Sequence, residues 1–554
     1  MSMMVIVGAV APWINNWLTP IWLLGVGALA GLFLLFVLWL LLAVLSRIPG
    51  LGNLADPPSV SGSRGSGSRS ETPGGFFRFL RPIFRLVSPR TVAEIPLAVR
   101  EGVLRPLFVI TVSLASFGLL GTLLVREPLD LLSSLTRLPN MGSRTTTFEV
   151  PVSGLEDANA EFSEPVAHEL PVSISQSETR ILVFRSNQNL SLSTRPFVDT
   201  KPGATIDVIA GEDLMWIKGI QTVNPFLEGE VSTLYVRNLG GQPAHFELMS
   251  NTAPPHPEIV AIPVMAISIV VVFLLYILQQ VLAPRLSAIA LSTYKNEVAQ
   301  PLFAILLALG VIILVAYVFI PYNTFGEDIK VLKDTGLTSI MILGIFQAVW
   351  AAGNSVADEL EGKTALTVLS KPIGRRSFIL GKFLGIVWTV VLLFVVLGLL
   401  LLIVTAYKPI YDGKENSTTQ DVTWQLCHLE MIYTVPGLVL AFLETVVLAA
   451  ISVAISTRLP LLANFVISFA IYVLGHLTPL IVQSSMGQFV FVQFFGQLIA
   501  TIFPNLDNFN IQAAVAAGLP VPHLYLAWAL LYCLIYSLIA MLLAWLLFED
   551  RDLA

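Results

Sequence analysis

The stretch NSVADELEGKTALTVLSKPIGRRSFILGKFL, Asn354 to Leu384, sits between two long apolar runs and decides how the chain is read. An acidic cluster (Asp358, Glu359, Glu361) is followed by a short helix-compatible segment and then by a basic cluster (Lys371, Arg375, Arg376, Lys382). A loop bounded on both sides by membrane-crossing runs, with ordered charge of both signs, is a handle for something outside the bilayer. The rest of the composition agrees. Of 554 residues, 55% are hydrophobic and 12% charged, with mean hydropathy +0.78, which is too apolar for a soluble fold. The net charge of -6 conceals an uneven distribution, so charge has to be read segment by segment. Two cysteines, Cys427 and Cys533, provide neither a disulfide framework nor a Cys-based metal site.

Around that loop, residues 284–554 read as a six-span core. Its spans lie near Pro301 to Ile320, Leu337 to Ala357, Phe378 to Ala406, Val435 to Ser456, Leu461 to Val482 and Leu524 to Phe548. Ahead of it, Arg285 to Gln300 puts Leu286, Ile289, Ala290, Tyr294 and Val298 on one helical stripe, with Lys295 and Glu297 away from it. Gln488 to Phe503 is apolar but too short to cross.

Upstream, residues 1–46 form an N-terminal span whose apolar run, Pro20 to Leu45, is too long for a cleavable signal and lacks a basic n-region. Residues 47–105 hold a Ser/Gly/Pro/Arg linker, Asp56 to Gly75, expected to be disordered. FFRFLRPIFRLVSPR follows, with Arg78, Arg81 and Arg85 on one helical face; it suits a basic helix on an anionic leaflet or, equally, a poorly ordered basic tail. Residues 106–125 and 258–283 are a second and a third span, giving about nine in all. Between Arg47 and Arg105 nine arginines face only Asp56, Glu71, Glu94 and Glu101, which places this segment in the cytoplasm, the N-terminus outside and the C-terminus inside.

Residues 126–257 then fall outside the cell. TTFEVPV, VSISQ, TRILVFRS, LSLST, ATIDVIA, STLYVRN and HFELM alternate with period two between turn residues, so an antiparallel sandwich-like domain is expected there. It is read either as recognising a substrate or envelope partner or as an insertion with no direct role in transport. His168, His245 and His256 stand alone, without metal-ligand spacing. The fold class is a polytopic α-helical membrane protein with an inserted extracytoplasmic β domain.

Ala357 to Thr364 reads A-x-x-x-x-G-K-T, a relaxed nucleotide-binding match. A working phosphate loop needs a strand feeding a glycine-rich turn, whereas a membrane helix precedes this one. Nucleotide binding by this chain is therefore rejected, and Gly362 is assigned to ending the helix. The order acidic pair, Gly362-Lys363-Thr364, Leu369-Ser370, Pro372, Arg375-Arg376, then Gly381-Lys382 entering a span resembles the cytoplasmic loop of ABC transporter permeases of the second, exporter-like type. The resemblance runs from about Arg285 to the C-terminus.

It implies that the loop 358–382 carries a coupling helix docking on a separate ATPase, with Asp358, Glu359, Glu361, Thr364, Leu366, Leu369, Ser370, Pro372, Arg375, Arg376 and Lys382 as the coupling residues. Leu366 and Leu369 would insert into a groove, the charges would fix register and Pro372 would end the helix. The other reading is that Arg375, Arg376 and Lys382 only anchor a span at the headgroups. The resemblance also implies no catalytic or metal residue in this chain, ATP and magnesium bound by the partner, a second permease copy and the lipid bilayer as partners, no nucleic acid, and a plasma or inner membrane location. Within a span, Glu444 of FLETVVLAA is the translocation-path candidate or, equally, a protonated residue hydrogen-bonded between helices, since an ionised side chain there costs on the order of 3 kcal/mol. Two rival functions remain. An ion-coupled secondary transporter would normally show several such groups and internal repeats; a membrane-anchored binding or assembly protein would act through its outer β domain. Apolar spans suit lipids, drugs, peptides and glycans alike.

Overall fold

Length and composition give the helices, and small residues bring them together. The structure, a computed structural model, describes residues 11–47, 88–153, 167–175, 178–197, 205–217, 230–320, 327–357, 359, 374–415, 422–484, 494, 498 and 503–549. These form two compact units, residues 1–126 with 261–554, and residues 127–260.

The first unit is helical. In chain order it contains α1 (Pro12–Leu45), α2 (Pro89–Glu101), α3 (Leu104–Gly121), α4 (Ala261–Leu282), α5 (Pro284–Ala299), α6 (Pro301–Phe319), α7 (Asp328–Ala352), α8 (Arg375–Glu415), α9 (Trp424–Ser456), α10 (Leu461–Ser484) and α11 (His523–Glu549). Among the described residues eight helices are long and apolar enough to cross a membrane. The expected ninth span, Leu461 to Val482, falls on α10, whose shorter apolar stretch is Leu461–Leu477. The chain is thus a multi-pass membrane protein.

Contacts at the helix ends sort the unit into two faces. On one lie the C-terminal end of α1, α2, α5, the start of α8 and the end of α11: Trp39 Nε1 donates to Val92 O at 3.3 Å, and Trp350 Nε1 to Gln300 Oε1 at 3.0 Å. On the other, Trp17 Nε1 donates to Ile403 O at 3.2 Å. Helix association without a water-driven hydrophobic effect relies on close backbone approach. A Cβ on Gly25 of α1 would come 2.7 Å from Gly118 Cα of α3, while Gly27 and Gly31, four apart, meet Met265 and Ala266 of α4. Trp22 Nε1 completes the α1–α3 crossing by donating to Gly118 O at 3.0 Å.

Helix α8 runs well beyond the span expected at Phe378 to Ala406. Lys408 and Asp412, which read as loop residues, form an (i, i+4) ion pair of 2.8 Å with Lys408 fully buried, so the helix continues to Glu415. Helix α7 ends in one π-helical turn, Gly353–Ala357, leading to the charged loop.

The second unit is an antiparallel β-sandwich. Its strands are β1 (Gly142–Val150), β2 (His168–Ser175), β3 (Thr179–Ser186), β4 (Leu190–Ser193), β5 (Ile206–Val208), β6 (Asp213–Ile217), β7 (Glu230–Asn238) and β8 (Ala244–Thr252). One sheet has the order β1-β8-β3-β6 and the other β2-β7-β4-β5. Alternate residues point inward, so Leu182, Phe184, Leu190, Leu192, Leu234, Val236 and Phe246 are fully buried. Phe184 and Phe246 stack with centroids 6.3 Å apart. Strand β6 (DLMWI) is the one the sequence reading omits, because its consecutive apolar residues hide the period.

We expect Gly25→Leu and Gly118→Leu each to destabilise the helical unit by about 1–3 kcal/mol, since the clash is with backbone. Thermal unfolding in detergent should show a lowered midpoint for both, with Gly241→Ala, where a Cβ meets nothing within 4 Å, as the silent control.

Candidate functional site

The charged loop begins and ends at one part-buried ion pair. Lys382, about two turns into α8, is 6% exposed, and its Nζ lies 2.5 Å from Glu359 Oε1 at the start of the loop. Two residues 23 apart in sequence are thereby fastened together. Phe378, one turn earlier, puts its ring 5.5 Å from the same ammonium.

Helix α5 closes the pair from one side. A Cβ on Gly381 or Gly385 would come within 2.7 or 2.6 Å of Ile289 or Thr293, so α5 and α8 touch closely. Ile289 and Thr293 lead, at four-residue steps, to Glu297 on the same face. Glu297 is fully buried, not turned away from the apolar stripe as its helical-wheel position had suggested. Burial first, and then the neighbouring Glu359 carboxylate, push its carboxyl up to about 8, against the opposing pull of Lys382. Protonated near neutrality, Glu297 leaves Lys382 and Glu359 as a balanced pair. Its Oε1 accepts from Gln300 Nε2 at 3.4 Å, and Gln300 Oε1 takes the Trp350 indole of α7. Three helices and both ends of the loop meet in this cluster.

The arginines are held elsewhere. Arg375 NH1 donates to Glu549 O at 2.8 Å and Phe548 O at 3.4 Å, covering the last carbonyls of α11. Arg376 lies 3.7 Å over the Trp545 ring of that helix. Both therefore fix the start of α8 against the last helix. Asp358, Glu361, Thr364, Leu366, Leu369, Ser370 and Pro372 lie outside the described residues, as do residues 48–87 and most of Gln488 to Phe503.

Glu444 occupies a second, separate position in α9. It is 2% exposed and borders a small chamber of about 110 Å³ with Thr338, Tyr472, His476, Asn510 and Gln512. His476 Nδ1 donates to Tyr472 O at 3.2 Å, which leaves Nε2 facing Glu444 Oε1 at 3.5 Å. At that separation no aligned hydrogen bond forms, and Oε1 makes none among the described residues. Gln512 Nε2 donates to Thr338 Oγ1 at 3.1 Å across the opening. The sequence flagged Glu444, but its partner His476 is 32 residues on and reaches it only through packing of α9 on α10.

Two further polar clusters escaped the sequence reading. Lys333, buried in α7, pairs with Glu430 of α9. Asn464 of α10 bonds Ser452 Oγ at 2.8 Å and Val349 O at 3.3 Å. Among the described residues no cluster of His, Cys, Asp and Glu has the arrangement of a metal site.

Residues 327–553 match the family model described as ABC-2 family transporter protein. No curated protein matches the chain. The matched part holds α7 to α11, Lys382 with Glu359, and the Glu444 chamber, and it is similar to the membrane permeases of ABC transporters.

The two halves of the part-buried pair should be energetically coupled. Lys382→Met and Glu359→Gln are each expected to lower stability by about 3 kcal/mol, and the double variant by clearly less than their sum, in a double-mutant cycle of thermal or denaturant unfolding. For Glu297 the folded carboxyl binds its proton up to about pH 8 and the unfolded one only to about 4.5, so stability falls as pH rises between these values. The slope is at most about 1.4 kcal/mol per pH unit. Glu297→Gln should flatten it, gaining on the wild type at pH 8 and matching it near pH 5.

Proposed function

We propose that the chain is the membrane-spanning permease subunit of an ATP-driven exporter, receiving work from a separate ATPase through the loop 358–382. The observation that carries this reading is the coincidence of the ABC-2 match over residues 327–553 with a charged loop whose two ends are clamped by Lys382 and Glu359. A lever transmits displacement only if its base is stiff. The ion pair, the α5 contact at Gly381 and Gly385, and the Arg375 contacts with the end of α11 make that base. Movement of the loop by the partner would then tilt α8 and, through Glu297 and Trp350, α5 and α7.

In this reading the loop, the linker 47–105 and the C-terminus are cytoplasmic, and the β-sandwich is extracytoplasmic. The distribution of arginine supports this side assignment. Leu366 and Leu369 are the apolar contacts offered to the ATPase, with Asp358, Glu361, Thr364 and Ser370 beside them and Pro372 ending the segment. Arg375, Arg376 and Lys382 act one step behind, by holding the lever's root. The chain itself performs no bond chemistry; nucleotide and magnesium belong to the partner, and a second permease copy completes the translocation path. Glu444, deep in α9, faces that path.

Affinity purification in mild detergent tests the reading directly. The wild-type chain should bring down an ATP-binding subunit. Leu366→Asp with Leu369→Asp should lose it while the membrane fraction keeps the same amount of chain. Arg375→Glu with Arg376→Glu should keep partial association but uncouple ATP hydrolysis from transport. A wild-type preparation free of any ATPase, with full membrane insertion, would refute the proposal.

A further inference from the structure

A recess in the helical unit belongs to the N-terminal helices, which lie outside the family match. It has a volume of about 670 Å³ and is walled by α1, α2, α3 and α4, with Leu32, Phe36, Phe108, Val109, Phe273 and Leu274 among its apolar lining. A recess of this size is in the range that holds an extended small molecule or lipid chain. Its polar lining is confined to one end, where Arg100 and Arg105 stand.

The local chain geometry explains why two arginines share that end. Arg100 is in the last turn of α2 and Arg105 in the first turn of α3, with the turn at Gly102 between them. A Cβ on Gly102 would collide with the Ala98 carbonyl and come 3.1 Å from the Tyr276 hydroxyl, so only glycine allows so tight a reversal. Both arginines are exposed, and neither forms an ion pair with a described residue. Glu101 lies beside them in sequence and leaves both guanidinium groups unmatched. Trp39, which also lines the recess, donates its indole N–H to Val92 O in the first turn of α2. A tryptophan with an apolar body and a satisfied N–H is the usual marker of the headgroup level.

We propose that this recess is a binding site for an anionic glycerophospholipid, with acyl chain in the apolar part and phosphate on Arg100 and Arg105. Basic recesses between membrane helices at the headgroup level recognise anionic lipids by this arrangement. The charge is complementary and unmatched among the described residues, and the apolar wall is built mainly from helices long and apolar enough to cross a membrane, as a lipid requires and a soluble partner does not. Arginine suits the phosphate because its planar donors form paired hydrogen bonds with two oxygens. None of residues 358–382 is among the residues that line the recess, and the proposal does not depend on what that loop drives.

Native mass spectrometry of the delipidated full chain, titrated with phosphatidylglycerol or phosphatidylcholine of matched acyl length, tests the assignment. The wild type should take up one phosphatidylglycerol in preference to phosphatidylcholine, with the preference falling about fivefold for each arginine replaced in Arg100→Gln and Arg105→Gln. Phe36→Trp with Val109→Trp, which fills the recess and spares the arginines, should weaken both lipids. Equal binding of the two lipids by the wild type, or an unchanged preference in the double arginine variant, would overturn the proposal. So would lipid uptake only after deletion of residues 76–87, which would make the chain's own basic segment the occupant, or uptake only by monomer, which would make it a second copy.

Discussion

In hydrocarbon a charge survives only where the protein supplies its counterion, and three such pairs order the helical unit. Lys382 with Glu359 closes one membrane face of the core, while Lys333 with Glu430 and Lys408 with Asp412 lie toward the other. Apolar packing between lipid-soluble helices is nearly indifferent to rotation and sliding, because tails can replace side chains at little cost. An ion pair is not indifferent. It fixes the register of α7 on α9 and the return of the charged loop onto α8, and the glycines then allow the backbones to close around those fixed points.

Much of this was legible from residue types. Seven of the eight strands fall on stretches read from period-two alternation, because one face of each strand is dry and the other wet. β6 was missed since Leu214, Met215, Trp216 and Ile217 give no alternation to read. The buried stripe of α5 was also foreseen at Ile289, Ala290 and Tyr294. Glu297 was assigned to the wrong side because a helical wheel places a carboxylate in solvent unless a partner is known. The groups that surround it, Glu359 and Lys382, are 62 and 85 residues away, and long-range packing leaves no trace in local pattern.

The same limit applies to the candidate site. Sequence order alone singled out Glu359, Arg375, Arg376, Lys382 and Glu444. It could not say that Lys382 turns back on Glu359, that the two arginines grip the last turn of α11, or that His476 stands opposite Glu444. Lys333 and Lys408 lie outside the expected spans Leu337 to Ala357 and Phe378 to Ala406, so neither was expected to be buried. Burial of both is a product of three-dimensional packing.

The wide turn Gly353–Ala357 carries its own consequence. A π turn holds one residue more than an α-helix needs over the same rise. Were it regular α-helix, everything after it would swing by about 100° around the axis, and Glu359 would leave Lys382. The extra residue therefore sets the phase between the membrane part of α7 and the loop that follows. It also makes that junction the point where the helix can gain or lose a residue of winding without losing its hydrogen bonds wholesale, like a spare link in a chain.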